Sequence, residues 1–200
     1  MNRLILVRHG TTDWNENGRL MGRAAIELNQ RGREQAGCAA AALSSESVGA
    51  IYASPQLRAR QTAEALAALR KIDVVIESGF DEVWLSAAWQ GKTLAELRGD
   101  VNLERVVIDP MSRCAEIEPM IAVQERTVAA VEILRQRHAE QTVVVFSHGD
   151  PLRAIVAHYV GLALARYRRL ACDNAALTIF SFREGGPKLE LLNWRPPAGE

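Results

Sequence analysis

Two short apolar runs, Leu4-Ile5-Leu6-Val7 and Val143-Val144-Val145-Phe146, each end at a polar segment in which histidine is followed by glycine, Arg8-His9-Gly10 and Ser147-His148-Gly149. A continuous run of branched and aliphatic residues, with no polar alternation, suits a strand covered on both faces. Val48 to Ala53 and Val74 to Ile76 read as two more such strands. Between them the pattern is helical. Ala36, Ala40 and Leu43 fall on one face of an alanine-rich stretch from Asn29 to Leu43, and Ala59, Ala63, Leu66 and Ala67 trace the next face. Leu152, Ile155, Val156 and Tyr159 make a third stripe, which Gly161 ends. Ser54-Pro55 and Asp150-Pro151 read as a helix cap followed by a first-turn proline. Strands alternating with helices require right-handed crossovers, so the fold class is α/β, a mainly parallel sheet flanked by helices on both faces. Ala176 to Phe182 and Leu189 to Trp194, separated by Glu184-Gly185-Gly186-Pro187, form a terminal hairpin whose edge offers a surface for a homodimer. Residues 81–119 lack a clean period and are expected to be a small irregular lid or insertion within a single domain spanning 1–200.

Composition narrows the function. Lys plus Arg number 24 and Asp plus Glu 24, so no net positive field recommends nucleic acid or a membrane as partner. The first apolar run is interrupted at Arg8, too soon for a signal peptide or a spanning helix, and cytoplasmic residence is expected. Cys38, Cys114 and Cys172 are odd in number and widely spaced, a pattern of free buried thiols rather than of disulfides or a zinc site.

In open parallel sheets, ligands bind beyond the carboxyl ends of the strands. Arg8 and His9 follow the first strand, Arg58 opens the helix after the second, and His148 follows the strand at Val143, so all four can converge on one crevice. Two guanidinium forks match phosphate oxygens bidentately. A neutral imidazole can attack phosphorus if its other nitrogen keeps a proton and has an acceptor, while a second imidazole donates to the transferring group. Helix N-termini beyond Ser54 and Asp150 would add oriented N–H groups, and Gly10 would let the backbone pass close to the ligand. His138 and His158 read as structural. The sequence carries no HExxH, no Walker glycine loop and no acidic cluster for a two-metal site, so neither metal nor cofactor is expected.

The segment Arg8-His9-Gly10-Thr11-Thr12-Asp13-Trp14-Asn15 resembles the opening signature of the histidine phosphatase (phosphoglycerate mutase-like) superfamily, R-H-G-x-[ST]-x-x-N. Ser54-Pro55-Gln56-Leu57-Arg58-Ala59-Arg60-Gln61-Thr62 is similar to its S-x-x-x-R-A-x-[QH]-T segment, and Ser147-His148-Gly149 to its later S-H-G. The resemblance implies that His9 is phosphorylated in the cycle, that Arg8, Arg58 and His148 hold the phosphate beside Gly10 and Gly149, that Asn15 lies at the pocket edge, and that Thr12 fits the family's hydroxyl position, with a loop cap as its alternative role. Arg60 falls on the opposite helical face. The resemblance also implies an acid that protonates the leaving oxygen. Residues 79–93 are similar to the family's E-x-x-x-G-x-W-x-G-x-[ST], with Glu82 as the acid; they lack its first glycine and run one residue long, which leaves Asp81 as the alternative.

The implied activity is hydrolysis of a small phosphomonoester through a phosphohistidine, without a resident cofactor. A bisphosphoglycerate-dependent mutase is the alternative within the family; against it, Arg98, Arg105 and Arg113 are isolated and read as surface, with no adjacent arginine pair to grip a carboxylate. From another class, a phospholigand-binding regulatory protein would keep the pocket and turn over little.

Overall fold

The computed structural model describes residues 1–197. Strands β1 (Arg3–Arg8), β2 (Val48–Ala53), β3 (Val74–Ile76), β4 (Thr142–Ser147), β5 (Leu177–Arg183) and β6 (Gly186–Trp194) form one sheet in the order β3-β2-β4-β1-β5-β6. The first four in that order pair in parallel, and β5 and β6 add an antiparallel hairpin beyond β1. Both expectations for the sheet hold.

Period-two alternation divides the central strands between two cores. Leu4, Leu6, Val143 and Val145 face one side, where they meet Val131, Leu134, Leu152 and Ile155. These come from α5 (Met120–Arg137) and α6 (Gly149–Tyr159). Ile5, Val7, Val144 and Phe146 face the other side against Ala39 of α2 (Gln30–Ala42), Leu43 at its C-cap, and Ala63 and Leu66 of α3 (Leu57–Arg70). Helices therefore cover both faces. The 18-residue α5 is long, yet no helix among the described residues is long and apolar enough to cross a membrane.

Caps depart in part from expectation. Asn29 caps α2 by accepting from the Gly32 N–H. At α3 the cap position belongs to Gln56, and at α6 to His148, so neither Ser54 nor Asp150 caps its helix. Each is diverted to a side-chain partner, Ser54 to His148 and Asp150 to Arg153. The three cysteines are free and half-buried.

Within residues 81–119 lies one short helix, α4 (Val101–Ile108), among the turns. Its order comes from a small core of Trp89, Leu103 and Val106. The Trp89 indole donates to the Asp100 carboxylate, which also caps α4 through the Leu103 N–H.

Candidate active site

Strand register brings the two histidines together. Arg8 is paired with Ser147 in neighbouring parallel strands, so the residues that follow, His9 and His148, emerge side by side. Their ring centroids are 5.2 Å apart, close to the spacing of adjacent strands. Beyond β2 on the other side of β4, Ser54 continues the layer, its N–H donating to the Phe146 carbonyl and its Oγ lying 2.7 Å from His148 Nε2.

The tautomer of His9 is fixed by its neighbour. His9 Nδ1 lies 2.7 Å from the Gly10 carbonyl, which can only accept, so Nδ1 carries the proton and Nε2 keeps its lone pair. Burial first, then the Arg58 and Arg8 charges, hold the imidazole well below its ordinary pKa. It is neutral at physiological pH. Burial and the same arginines depress His148 in the same way, with His9 contributing.

Gly10 serves a different purpose from the one expected. A Cβ there would collide with the backbone of Gly32 at the start of α2, so the glycine is required by the approach of two backbone segments. Its N–H donates to Thr62 Oγ1 at 3.0 Å and its carbonyl orients His9. Gly149 packs beside Arg8, whose guanidinium carbon would lie 3.8 Å from an added Cβ.

Arg58 is fully buried, its Nη1 and Nη2 donating to the Ala24 and Gly22 carbonyls at 2.9 and 2.8 Å. Arg8 Nη1 donates to the Cys172 carbonyl. The Nε atoms of both arginines, and His148 Nδ1, are buried without a hydrogen-bond partner. Leaving such groups unsatisfied costs roughly 1 to 3 kcal/mol each, which marks the three as places for a polar partner.

Thr12 and Asn15 are joined in a capping box at α1 (Asp13–Glu16), with Thr12 Oγ1 accepting from the Asn15 N–H. Thr12 is fully buried in that role. Asn15 Oδ1 is taken by Thr12 and by Asn174 Nδ2, and Asn15 lines two cavities together with Arg8. Asn174 was missed from the sequence. It also donates to the His9 carbonyl at 2.9 Å, holding the His9 loop from a residue 165 positions away, a contact no local motif announces.

The two candidate acids have separated. Asp81 accepts from Gln56 Nε2 and the Glu82 N–H through Oδ1, and pairs with Arg23 at 3.2 Å through Oδ2. Glu82 accepts from the Val83 N–H through Oε1, while Oε2 stands 3.8 Å from His148 Nδ1. Burial, then the Asp150 carboxylate, push Glu82 up to about 7 against the pull of Arg58 and Arg8. Arg126, also unforeseen, clamps this loop by donating to the carbonyls of Gly79, Asp81 and Glu82 while pairing with Glu118 at 2.8 Å. Arg98, Arg105 and Arg113 are exposed, as expected.

Fold and site define a histidine phosphatase: residues 4–195 match the family model described as histidine phosphatase superfamily (branch 1), and the chain belongs to that superfamily. It is an enzyme of phosphatase type, acting on phosphomonoesters by the family's histidine chemistry. It is 33% identical to phosphoserine phosphatase 1 of Hydrogenobacter thermophilus, over 100% of this chain and 96% of that one. The crystal structure of a phosphoserine phosphatase mutant from Entamoeba histolytica with phosphoserine superposes with a TM-score of 0.86 at 28% identity, covering 96% of this chain and 97% of that one. Mycobacterial glucosyl-3-phosphoglycerate phosphatase in complex with VO3 gives 0.87 at 27% identity, covering 97% of this chain and 100% of that one.

Proposed function

We propose that the chain hydrolyses a small phosphomonoester in two displacements at His9. His9 Nε2 attacks phosphorus as the bond to the ester oxygen breaks, and Glu82 gives its proton to that oxygen. Glu82, now a carboxylate, takes a proton from water, which attacks the phosphohistidine and releases inorganic phosphate. Each step inverts phosphorus, so the outcome is net retention.

The observation that carries this reading is the set of three buried, partnerless polar atoms, Arg8 Nε, Arg58 Nε and His148 Nδ1, on residues gathered beside His9. The equatorial oxygens of a phosphoryl group in transfer supply the acceptors these donors lack, and charge stabilisation there is the main source of catalysis. A carboxyl that titrates near 7 can act as acid and then as base at neutral pH, which supports Glu82 over Asp81. Residues 81–119, which supply Glu82 and much of the wall beside it, cover the leaving-group side of the site. Arg98, Arg105 and Arg113 do not line that cavity, which favours hydrolysis over mutase chemistry.

Rapid acid-labile trapping tests the proposal. Incubation with phenyl phosphate should release phosphate and leave a labelled histidine in the wild type, and neither in His9→Ala. Turnover of phenyl phosphate by His9→Ala at the wild-type rate would overturn it.

A further inference from the structure

Two cavities flank the phosphate-binding residues, and Arg8 and Asn15 line both. They differ in the one feature that decides where an alcohol leaves. Glu82 lines the second cavity and not the first. The leaving oxygen must face the acid that protonates it, so the alcohol lies in the second cavity, whose volume is about 480 Å³.

That cavity is walled by Leu20, Met21, Leu85, Leu103, Val106 and Ile117. Its charged side chains away from the phosphate end, Arg19, Arg168 and Asp150, each already have a protein partner. Arg19 donates to the Gly91 carbonyl at 2.6 Å, Arg168 Nη1 to the carbonyls of Val106 and Val107 at 3.0 Å, and Asp150 pairs with Arg153 at 3.2 Å. A zwitterionic or sugar-like alcohol would lose water there and meet hydrocarbon. Apolar ligand surface, by contrast, gains from leaving water in a site of this size.

We infer that the preferred substrates are monophosphate esters of bulky apolar alcohols or phenols, their hydrocarbon part seated against the wall formed by residues 85–117. The inference rests on the proposed phosphatase reading and names its substrate class. It differs from what the phosphoserine-directed relatives would suggest.

A series of n-alkyl phosphates from ethyl to octyl, with phosphoserine for comparison, tests it on the intact protein. Each added methylene should raise kcat/KM by about three- to fourfold until the cavity is filled. Hexyl phosphate should exceed phosphoserine by at least about tenfold. Leu94 and Val107, at 56% and 51% exposure, border the same cavity and tolerate polar replacement, so Leu94→Gln and Val107→Gln should each flatten the chain-length slope. A flat or falling slope, or phosphoserine hydrolysed faster than hexyl phosphate, overturns the inference while leaving the phosphatase reading intact. If no ester turns over, that reading fails; calorimetry with n-alkylphosphonates then decides the cavity separately, with affinity independent of chain length refuting it.

Discussion

Ser54 Oγ and His148 Nε2 are 2.7 Å apart, which leaves Nδ1 as the ring nitrogen without a hydrogen-bond partner. The Ser54 hydroxyl has one proton and two acceptors in reach, His148 Nε2 and Asp81 Oδ1 at 3.3 Å. The proposed role of His148 as a donor to the phosphoryl group requires that proton on the His148 side, with Nε2 accepting and Nδ1 protonated.

Replacing Ser54 by alanine should therefore let His148 take the wrong tautomer. We expect kcat for alkyl phosphates to fall by about 10- to 100-fold, approaching the loss of one oxyanion donor, with KM less affected. An unchanged kcat in steady-state assays would show that the ring needs no such partner.

The pH dependence follows from two opposite shifts. His9 is held well below 6.5, so the acid limb of kcat/KM should lie below that value. In the proposed first step Glu82 gives up a proton, so activity on alkyl esters should decline as pH rises through about 7. For p-nitrophenyl phosphate, whose leaving group needs little protonation, the basic limb should be weak. A basic limb of equal depth with both ester classes would assign it to another group.

Stability should carry the same signature. The Glu82 carboxyl titrates near 4.5 when unfolded and near 7 when folded, so the native state binds the extra proton between those values. Stability is then fully present below pH 4.5 and lost as pH rises through about 7. Glu82→Gln removes the loss, and should be more stable than wild type by about 2 to 3 kcal/mol at pH 8 but equal to it at pH 4. Urea titrations at the two pH values check this, and a Glu82→Gln advantage at both would contradict the shift.

Arg126 touches no substrate position but holds the carbonyl of Glu82 at 3.2 Å. Arg126→Met should lower kcat on alkyl esters about tenfold and on p-nitrophenyl phosphate by less, because only the acid is displaced. Equal losses on both would point to a general collapse of the loop.

Gly10→Ala separates packing from ligand contact. The added methyl meets the Gly32 backbone, which cannot yield without moving α2, and should cost about 1 to 3 kcal/mol of stability. Thermal unfolding without ligand measures it; a wild-type Tm would return Gly10 to the phosphate.

The parallel sheet and the meeting of Arg8, His9, Arg58 and His148 were legible because strand runs and their polar ends are local features, and parallel register does the rest. Caps were less so: Ser54 and Asp150 have the right chemistry for helix starts, but tertiary partners claimed both side chains. Asn174 and Arg126 lay beyond reach, since each acts through main-chain carbonyls supplied by distant segments. The same holds for Gly10, whose necessity depends on where α2 begins to pack.

His9 and His148 are rooted in β1 and β4, the innermost pair of parallel strands, whereas Glu82 hangs on a loop pinned by side chains of Arg23 and Arg126. The two halves of the proposed chemistry thus differ in durability. Under mild heat or denaturant the protein should go on accepting phosphate from activated donors after it has ceased to release alcohols, ageing from a catalyst into a single-use acceptor before the sheet at its core gives way.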